Sequence, residues 1–216
     1  MANKAESSVL LFARAPVTGR VKTRLIPLLG EHGAAALYRN LADHTLAMAR
    51  EAAVGPLELW CAPDVRHEFF AACKTRFGAT LHTQCDGDLG ARMRGAIADA
   101  LTRANRVVLI GTDCPALGTA DLRTAVAMLK EGNDAVFCPV EDGGYCLVGV
   151  HHAMPALFDA MPWGTGQVME ETRQRLRNLG WRWHELPVRW DLDRPEDYER
   201  LVREGWVPAL DPDGEP

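Results

Sequence analysis

Short apolar runs alternate with longer segments of helical periodicity along most of the chain. Val9–Ala13 and Val107–Ile110 are continuously apolar, as strands buried on both faces of a parallel sheet are. Val107–Ile110 gives the stronger signal, because three of its four residues are β-branched and Gly111 follows it. Four further segments have strand character: residues 57–61, 79–82, 134–140 and 145–150, the last two joined by a turn-rich connection.

Apolar residues spaced three or four apart predict helices between these strands. The helical segments cover residues 31–53, 89–101, 119–130 and 167–179, and a further helix begins near Pro195. Thr119 is a candidate N-cap for the third of them. Strands alternating with helices predict one α/β domain over residues 1–216, with a mainly parallel sheet covered by helices on both faces. Residues 210–216 have the composition of a frayed tail.

The charge balance narrows the class of function. The 216 residues carry 24 Lys plus Arg and 29 Asp plus Glu, a net charge of −5, which argues against a broad nucleic-acid-binding surface. The opening residues MANKAESS lack the features of a signal peptide, and no stretch approaches the roughly 20 apolar residues of a membrane span. The six cysteines include no C-x-x-C pair, so a zinc site is not indicated. We expect a cytoplasmic protein with reduced cysteines and no membrane or nucleic-acid partner.

A basic segment follows the first strand. Residues 14–24 contain no acid and four cations, Arg14, Arg20, Lys22 and Arg24. Ligands of open α/β sheets bind beyond the carboxyl ends of strands, where this segment would lie. Its cations would neutralise phosphate, and Gly19 would let the backbone approach a ligand closely. The alternative is a solvated loop that only improves solubility. The segment matches neither a P-loop nor a dinucleotide-binding fingerprint.

Asp113 follows the strongest predicted strand, in the run Gly111-Thr112-Asp113. This position lies at the edge of the sheet where active sites of open α/β folds form. Mg²⁺ needs only one or two protein carboxylates when substrate phosphates supply other ligands. The alternative is that Asp113 caps a turn before the helix at Thr119, a common role for aspartate.

A second acidic group lies near the end of the chain. Asp191 and Asp193 are two residues apart, so an extended segment would point both the same way. Asp193 is also placed to be the N-cap of the helix that begins near Pro195. We therefore favour Asp191 as the metal ligand and Asp193 as the cap, with either able to bind the metal.

Five motifs occur in an order that carries a family resemblance: F-A-R-A-P…G-R-V-K-T-R-L from Phe12, Q-C-D-G-D-L-G-A-R-M from Gln84, G-T-D-C-P from Gly111, D-G-G-Y from Asp142 and D-L-D-R-P-E-D from Asp191. Together they resemble the bacterial family DUF2064, or radical-SAM/selenodomain-associated transferase 1, of the nucleotide-diphospho-sugar transferase superfamily. Its relatives include 2-phospholactate and molybdenum-cofactor guanylyltransferases. The resemblance spans roughly residues 8–203 and implies a three-layer α/β/α fold of the glycosyltransferase-A type.

The resemblance implies a role for each motif. The nucleotide and its phosphates would contact Arg14, Gly19, Arg20, Lys22, Arg24, Gly87 and Arg92. Mg²⁺ (or Mn²⁺) would be held by Asp113 together with Asp191 or Asp193. The acceptor would lie beside Asp142, Gly143 and Gly144, whose glycines leave room for a substrate. The expected catalytic residues are Lys22, Arg20 and Asp113.

Two departures from the superfamily pattern bear on the reaction. Phe12–Pro16 replaces the glycine-rich opening of many nucleotidyltransferases, and Gly111-Thr112-Asp113 replaces the Asp-x-Asp of many glycosyltransferases. The single aspartate favours a Mg²⁺-dependent nucleotidyltransferase that moves a nucleoside monophosphate from a triphosphate to a small phosphorylated acceptor. A glycosyltransferase with a nucleotide-sugar donor and a non-catalytic nucleotide-binding module are the alternatives.

Overall fold

The structure is a computed structural model that describes residues 4–206. In those residues, seven strands form one sheet: β1 (Ser8–Arg14), β2 (Leu57–Ala62), β3 (Thr80–Thr83), β4 (Val107–Ile110), β5 (Ala135–Pro139), β6 (Tyr145–Val150) and β7 (Trp183–Glu185). The helices are α1 (Ile26–Ala52), α2 (Glu68–Phe77), α3 (Leu89–Ala100), α4 (Thr119–Lys130), α5 (Pro155–Phe158), α6 (Val168–Leu179) and α7 (Pro195–Arg203). The tail predicted at residues 210–216 lies outside the described residues.

The sheet has the strand order β3-β2-β1-β4-β6-β5-β7. β6 runs antiparallel to both of its neighbours, β4 and β5, and the other pairs are parallel. The mainly parallel sheet is therefore confirmed. The turn-rich connection after β5 links β5 to β6 as an antiparallel pair. Among the described strands, β6 is the one that runs against the direction of the others.

Helices cover both faces of this sheet. Alternate residues of β1 point to opposite sides, as the period of a strand requires. Val9 and Leu11 pack into a core with α1, α2 and α4, and Leu10 packs into a second core with α3, α5 and α6. The predicted three-layer α/β/α arrangement is confirmed. Burial on both faces accompanies an apolar sequence in β4, in β5 and in β1 between its terminal Ser8 and Arg14, whereas the buried β2 also contains Glu58.

A third, smaller core joins the two ends of the fold. Leu25 and Leu29, at the start of α1, pack against Trp190, Leu192 and Leu201 from the C-terminal segment and α7. Leu192 also donates its backbone N–H to the carbonyl oxygen of Asp113, at 2.7 Å. We call residues 190–193 the C-terminal strap, because they lie across the loop that follows β4.

Two predicted caps are wrong. The N-cap of α4 is Gly118, whose N–H donates to the Asp121 carboxylate at 2.9 Å, and Thr119 is already the first helical residue. The N-cap of α7 is Arg194 in place of Asp193, and the backbone N–H groups of both residues donate to the carboxylate of Asp197. In both helices the carboxylate at the third helical position accepts the backbone N–H of the N-cap residue, which is one half of a capping box.

The remaining helix boundaries largely follow the sequence. Gly30 (φ 69°, ψ 170°) interrupts α1, so the regular helix begins near Glu31, as predicted. The sequence pattern does not predict two elements. The apolar pattern at residues 64–77 is too short to predict α2, and β7 lies in a polar segment that has no strand signal. All six cysteines are free thiols. Within the described residues, no helix combines the length and apolar character needed to cross a membrane.

Candidate active site

The site lies where the order of the strands reverses. The chain forms β1, β2 and β3 toward one edge of the sheet and then places β4 on the other side of β1. Such a reversal opens a crevice at the carboxyl ends of the strands. Here the loops after β1 and β4 line one cavity, to which they contribute Arg14 and Asp113. The basic segment and the aspartate that the sequence singled out are therefore neighbours.

Two adjoining cavities occupy this edge. The central cavity, of about 390 Å³, lies between the ends of β1, β4 and β6 and the first turn of α3. The side cavity, of about 480 Å³, lies between the loop after β1, the end of β2 and the connection from β3 to α3. Both are lined by Arg14, Gln84 and Arg92. A ligand could thus extend from one cavity into the other past two arginines.

The four cations of the basic segment point in different directions. Arg14 lines both cavities, and Arg20 lines the side cavity. Arg24 lines neither cavity and instead forms an ion pair with Asp193. Gly19 has a left-handed backbone conformation (φ +76°) beside Glu31, and this conformation lets the segment fold back toward α1.

Lys22 is the most buried of these cations. Its side chain is only 5% exposed, and its Nζ contacts Asp113 Oδ1 at 2.5 Å and donates to the carbonyl oxygen of Leu192. Its backbone adopts the left-handed conformation (φ 47°, ψ 41°), which is strained for a residue with a side chain. Lys22 thereby joins the basic segment, the loop after β4 and the C-terminal strap at one ammonium group.

Three carboxylates converge on the central cavity. Asp113, Asp142 and Asp191 all line it. Burial, together with the nearby negative charges of Asp142 and Asp113, raises the pKa of Asp191 to about 6. Asp113 contacts Lys22 rather than a backbone N–H group, so the alternative role of turn cap receives no support.

The two aspartates of the C-terminal strap are separated. Asp191 is half-buried and lines the central cavity, whereas Asp193 lies outside it, paired with Arg24. The prediction that both side chains point toward one ligand is wrong: the Asp193 carboxylate accepts from Arg24, and the chain turns into α7 directly after Asp193. The resemblance places Asp142 beside the acceptor. In the structure Asp142 lies close enough to Asp191 for its charge to raise the pKa of that carboxyl, so Asp142 groups with Asp113 and Asp191.

The connection between β5 and β6 borders the cavity through Asp142 and Gly144. Asp142 Oδ1 accepts the N–H of Gly144 at 2.7 Å, which fixes the turn. Gly143 lies behind them with φ +88°, and a Cβ added to it would lie 2.2 Å from the carbonyl oxygen of Gly166. Gly143 therefore serves close packing between two loops, while the space beside Gly144 opens to a ligand.

Gly143→Ala is expected to destabilise the protein by roughly 2–4 kcal/mol, because backbone strain adds to a clash with another backbone. Gly180→Ala is the matched control: Gly180 has φ +66° and open space around the added Cβ, so it isolates the strain at about 1 kcal/mol. Urea unfolding of both variants measures the difference. Equal losses would show that the contact between the two loops does not constrain the site.

Gly87 lies between β3 and α3, and Arg92 lies in the first turn of α3. Arg92 lines both cavities, and its Nε donates to the carbonyl oxygen of Gly87 at 2.9 Å. Gly87 adopts φ +115° and lines neither cavity, so its part is to hold the arginine. Asp88 caps α3 by accepting the N–H of Ala91 at 2.8 Å.

Sequence reasoning missed Tyr38 and Gln84. The hydroxyl of Tyr38 accepts the Arg14 N–H at 2.7 Å and the Thr112 hydroxyl at 3.4 Å, and therefore joins the ends of β1 and β4. Burial and the nearby Asp113 raise the pKa of Tyr38 to about 12. Gln84 donates to the carbonyl oxygen of Trp60 at 2.8 Å. Tyr38 lies on an apolar helix face, where its pattern is that of an ordinary core residue.

A second cluster of potential metal ligands lies away from both cavities. Glu58, near the amino end of β2, approaches His82 and Asp99. Arg103 Nη2 donates to Glu58 at 2.9 Å and to Asp99 at 2.8 Å. The guanidinium already supplies the positive charge, so this cluster is an ion-pair network that joins β2 to α3.

Comparisons with known proteins agree with this architecture. The family model of DUF2064, described as "Uncharacterized protein conserved in bacteria", matches residues 45–165. A candidate nucleotide-diphospho-sugar transferase of Desulfovibrio desulfuricans G20, known from a crystal structure, is 30% identical, with a TM-score of 0.85 over 95% of this chain and 90% of that one. No curated protein matches the sequence.

More distant structures share the fold. CMP:2-keto-3-deoxy-manno-octonic acid synthetase, in complex with CTP, is 14% identical, with a TM-score of 0.59 over 94% of this chain and 100% of that one. Glucosyl-3-phosphoglycerate synthase of Mycobacterium tuberculosis, with Mn²⁺, UDP and glucosyl-3-phosphoglycerate, is also 14% identical, with a TM-score of 0.52 over 94% and 77%. The chain belongs to the DUF2064 family, within the nucleotide-diphospho-sugar transferase superfamily and its glycosyltransferase-A type of fold.

Proposed function

We propose that this protein is a nucleotidyltransferase that uses a divalent cation to move a nucleoside monophosphate from a triphosphate to a small phosphorylated acceptor. One observation carries the proposal: Arg14 and Arg92 line the same cavity as Asp113, Asp142 and Asp191. Cations that bind phosphate and carboxylates that bind a metal are the two components that phosphoryl and nucleotidyl transfer need. The related folds with bound CTP and with bound Mn²⁺ and UDP support the same class of substrate.

The residues present suit a hard divalent cation. Asp113, Asp142 and Asp191 offer oxygen ligands, which Mg²⁺ and Mn²⁺ prefer. Burial is the main cause of the raised pKa of Asp191, and the charges of Asp142 and Asp113 add to it; a bound cation would offset both effects. When bound, the cation would neutralise phosphate oxygens in the transition state. Asp193, paired with Arg24 outside the cavity, is not among the ligands that we propose.

The chain's own cations bind and orient the phosphates. Arg14 and Arg92 stand at the junction of the two cavities, and Arg20 lines the side cavity. We therefore place the nucleoside in the side cavity, the triphosphate at the junction and the acceptor in the central cavity. Lys22 holds Asp113 in position from behind and contributes a positive charge to the site. Arg24 stabilises the C-terminal strap through Asp193.

The chemistry of the cavity favours an acceptor that is already anionic. Of the described residues that line the central cavity, none is a histidine, and the proposed metal would occupy the three aspartates that could otherwise act as general bases. An acceptor phosphate needs no strong general base, since it is ionised before it attacks. Catalysis would then rest on positioning the two phosphates and neutralising their charge.

Release of pyrophosphate tests the proposal. The purified protein would be incubated with each nucleoside triphosphate, Mg²⁺ or Mn²⁺, and a panel of phosphorylated acceptors, with pyrophosphatase and phosphate detection as the readout. We expect pyrophosphate in proportion to the acceptor consumed, and release slower on the order of 10²- to 10³-fold with the Asp113→Asn variant. Release of a nucleoside diphosphate from a nucleotide sugar, without pyrophosphate from any triphosphate, would identify a glycosyltransferase and reject the proposal.

A further inference from the structure

The lining of the central cavity includes two unlike sets of side chains, which we call its charged half and its apolar half. One half carries the carboxylates Asp113, Asp142 and Asp191 and the arginines Arg14 and Arg92. The other half is lined by six apolar or aromatic side chains: Phe12, Met93, Leu109, Tyr145, Val148 and Trp163. These six belong to, or pack against, the core between the sheet and helices α3, α5 and α6. The apolar half is therefore an open end of a hydrophobic core.

Aromatic rings form one wall of this apolar half. Tyr145 packs edge-on against Trp163, with ring centroids 6.2 Å apart, and against Phe137 at 5.1 Å. Phe12, Tyr145 and Trp163 are half-buried, so parts of their rings face the cavity. Leu109 and Val148, from the adjacent strands β4 and β6, form its floor and are almost fully buried.

From this arrangement we infer that the acceptor is amphipathic, with a phosphate at one end and an apolar body that packs against the apolar side chains of the central cavity, its apolar half. The inference rests on the proposed function, because that function places the acceptor phosphate at the carboxylates and arginines. An apolar body would remove the exposed ring and side-chain surface from water. A sugar would bring hydroxyl groups against side chains that offer few hydrogen-bond partners, which is unfavourable.

Binding of n-alkyl phosphates tests the inference without requiring turnover. Ethyl, butyl and hexyl phosphate, with glucose 1-phosphate as the polar comparison, would be titrated into the full-length protein with Mg²⁺ by calorimetry. Each buried methylene is expected to tighten binding about threefold to fourfold, so that hexyl phosphate binds at least tenfold more tightly than ethyl phosphate. Equal affinity along the series, or tighter binding of glucose 1-phosphate than of hexyl phosphate, overturns the inference.

A pair of tryptophan variants tests where the alkyl chain of the ligand binds. Trp163→Ala should flatten the dependence on chain length, whereas Trp206→Ala, at an exposed tryptophan outside both cavities, should leave it unchanged. Equal effects of the two changes would overturn the assignment to the apolar half. Because the series is measured on the unaltered protein as well, the inference stays testable even if Trp163→Ala does not fold.

Competition with the nucleoside separates the inference from the proposed function. Hexyl phosphate should still bind when the nucleoside is saturating; its displacement by the nucleoside, which has no phosphate to compete for Arg14 and Arg92, would mean that the nucleoside occupies the apolar half and rejects the inference. If pyrophosphate is released with sugar phosphates but not with alkyl phosphates, the proposed function stands and the inference fails. If the chain-length dependence holds but no acceptor yields pyrophosphate, the proposed function fails instead.

Discussion

Replacing Asp113 by asparagine is expected to lower turnover on the order of 10²- to 10³-fold, the loss typical of removing one preorganised electrostatic group from an active site. The change keeps the size of the side chain and removes the charge that faces Lys22 and the central cavity. Asp191→Asn should behave in the same way, because Asp191 lines the same cavity. Steady-state rates at several Mg²⁺ concentrations measure both effects, and the lost activity should not return at high Mg²⁺.

Asp193→Asn is the matched control for this pair. Asp193 is two residues from Asp191 but is paired with Arg24 outside the cavity, and an exposed ion pair contributes at most about 1 kcal/mol to stability. We expect its turnover to stay within about threefold of the unaltered protein. A loss in Asp193→Asn as large as in Asp191→Asn would contradict the assignment of the carboxylates. Thermal unfolding of all three variants checks that the fold is retained.

Lys22→Met should lower turnover by a similar factor, on the order of 10²-fold or more. Methionine fills most of the same volume but leaves the carbonyl oxygen of Leu192 without its charged donor. Because the lysine side chain is almost fully buried, we also expect a loss of about 1–3 kcal/mol in the free energy of unfolding. Urea unfolding and initial rates, measured on the same preparation, separate the two effects.

Arg24→Met is the control for Lys22→Met. Arg24 carries the same charge two residues away, in a side chain that is 62% exposed. Its loss should cost less than about 1 kcal/mol and little activity. If the two variants lost activity equally, the net charge of the basic segment would matter rather than the position of the Lys22 ammonium, and the role proposed for Lys22 would be wrong.

The strands of the fold could be predicted because burial on both faces leaves a direct trace in sequence. Val107–Ile110 became β4 with the predicted bounds, and so did Tyr145–Val150 as β6. The caps were wrong, since Thr119 and Asp193 had suitable side chains and nothing local showed that the carboxylates of Asp121 and Asp197 would take their place. Edge elements such as β7 are stabilised by pairing with a neighbour more than by their own composition.

The site was only half predictable for a similar reason. In open α/β sheets the residues that follow parallel strands lie at the carboxyl edge of the sheet, where ligands bind. This rule was enough to predict Arg14 and Asp113 as site residues. Contacts between distant segments leave no such trace: the Tyr38 hydroxyl bridges Arg14 and Thr112, and Arg24 turns away to Asp193. Periodicity assigns Tyr38 to a helix face but cannot tell that its hydroxyl lies at the junction of two loops.

The C-terminal strap sets an order of events during synthesis. Lys22 and Asp113 emerge from the ribosome early, but the carbonyl and N–H groups of Leu192 that bind them are made some 80 residues after Asp113. Until then the ammonium and the loop after β4 lack these partners, although the strands beneath them can already pair. The nascent chain can therefore build its sheet first and acquires a competent site only when its last elements dock.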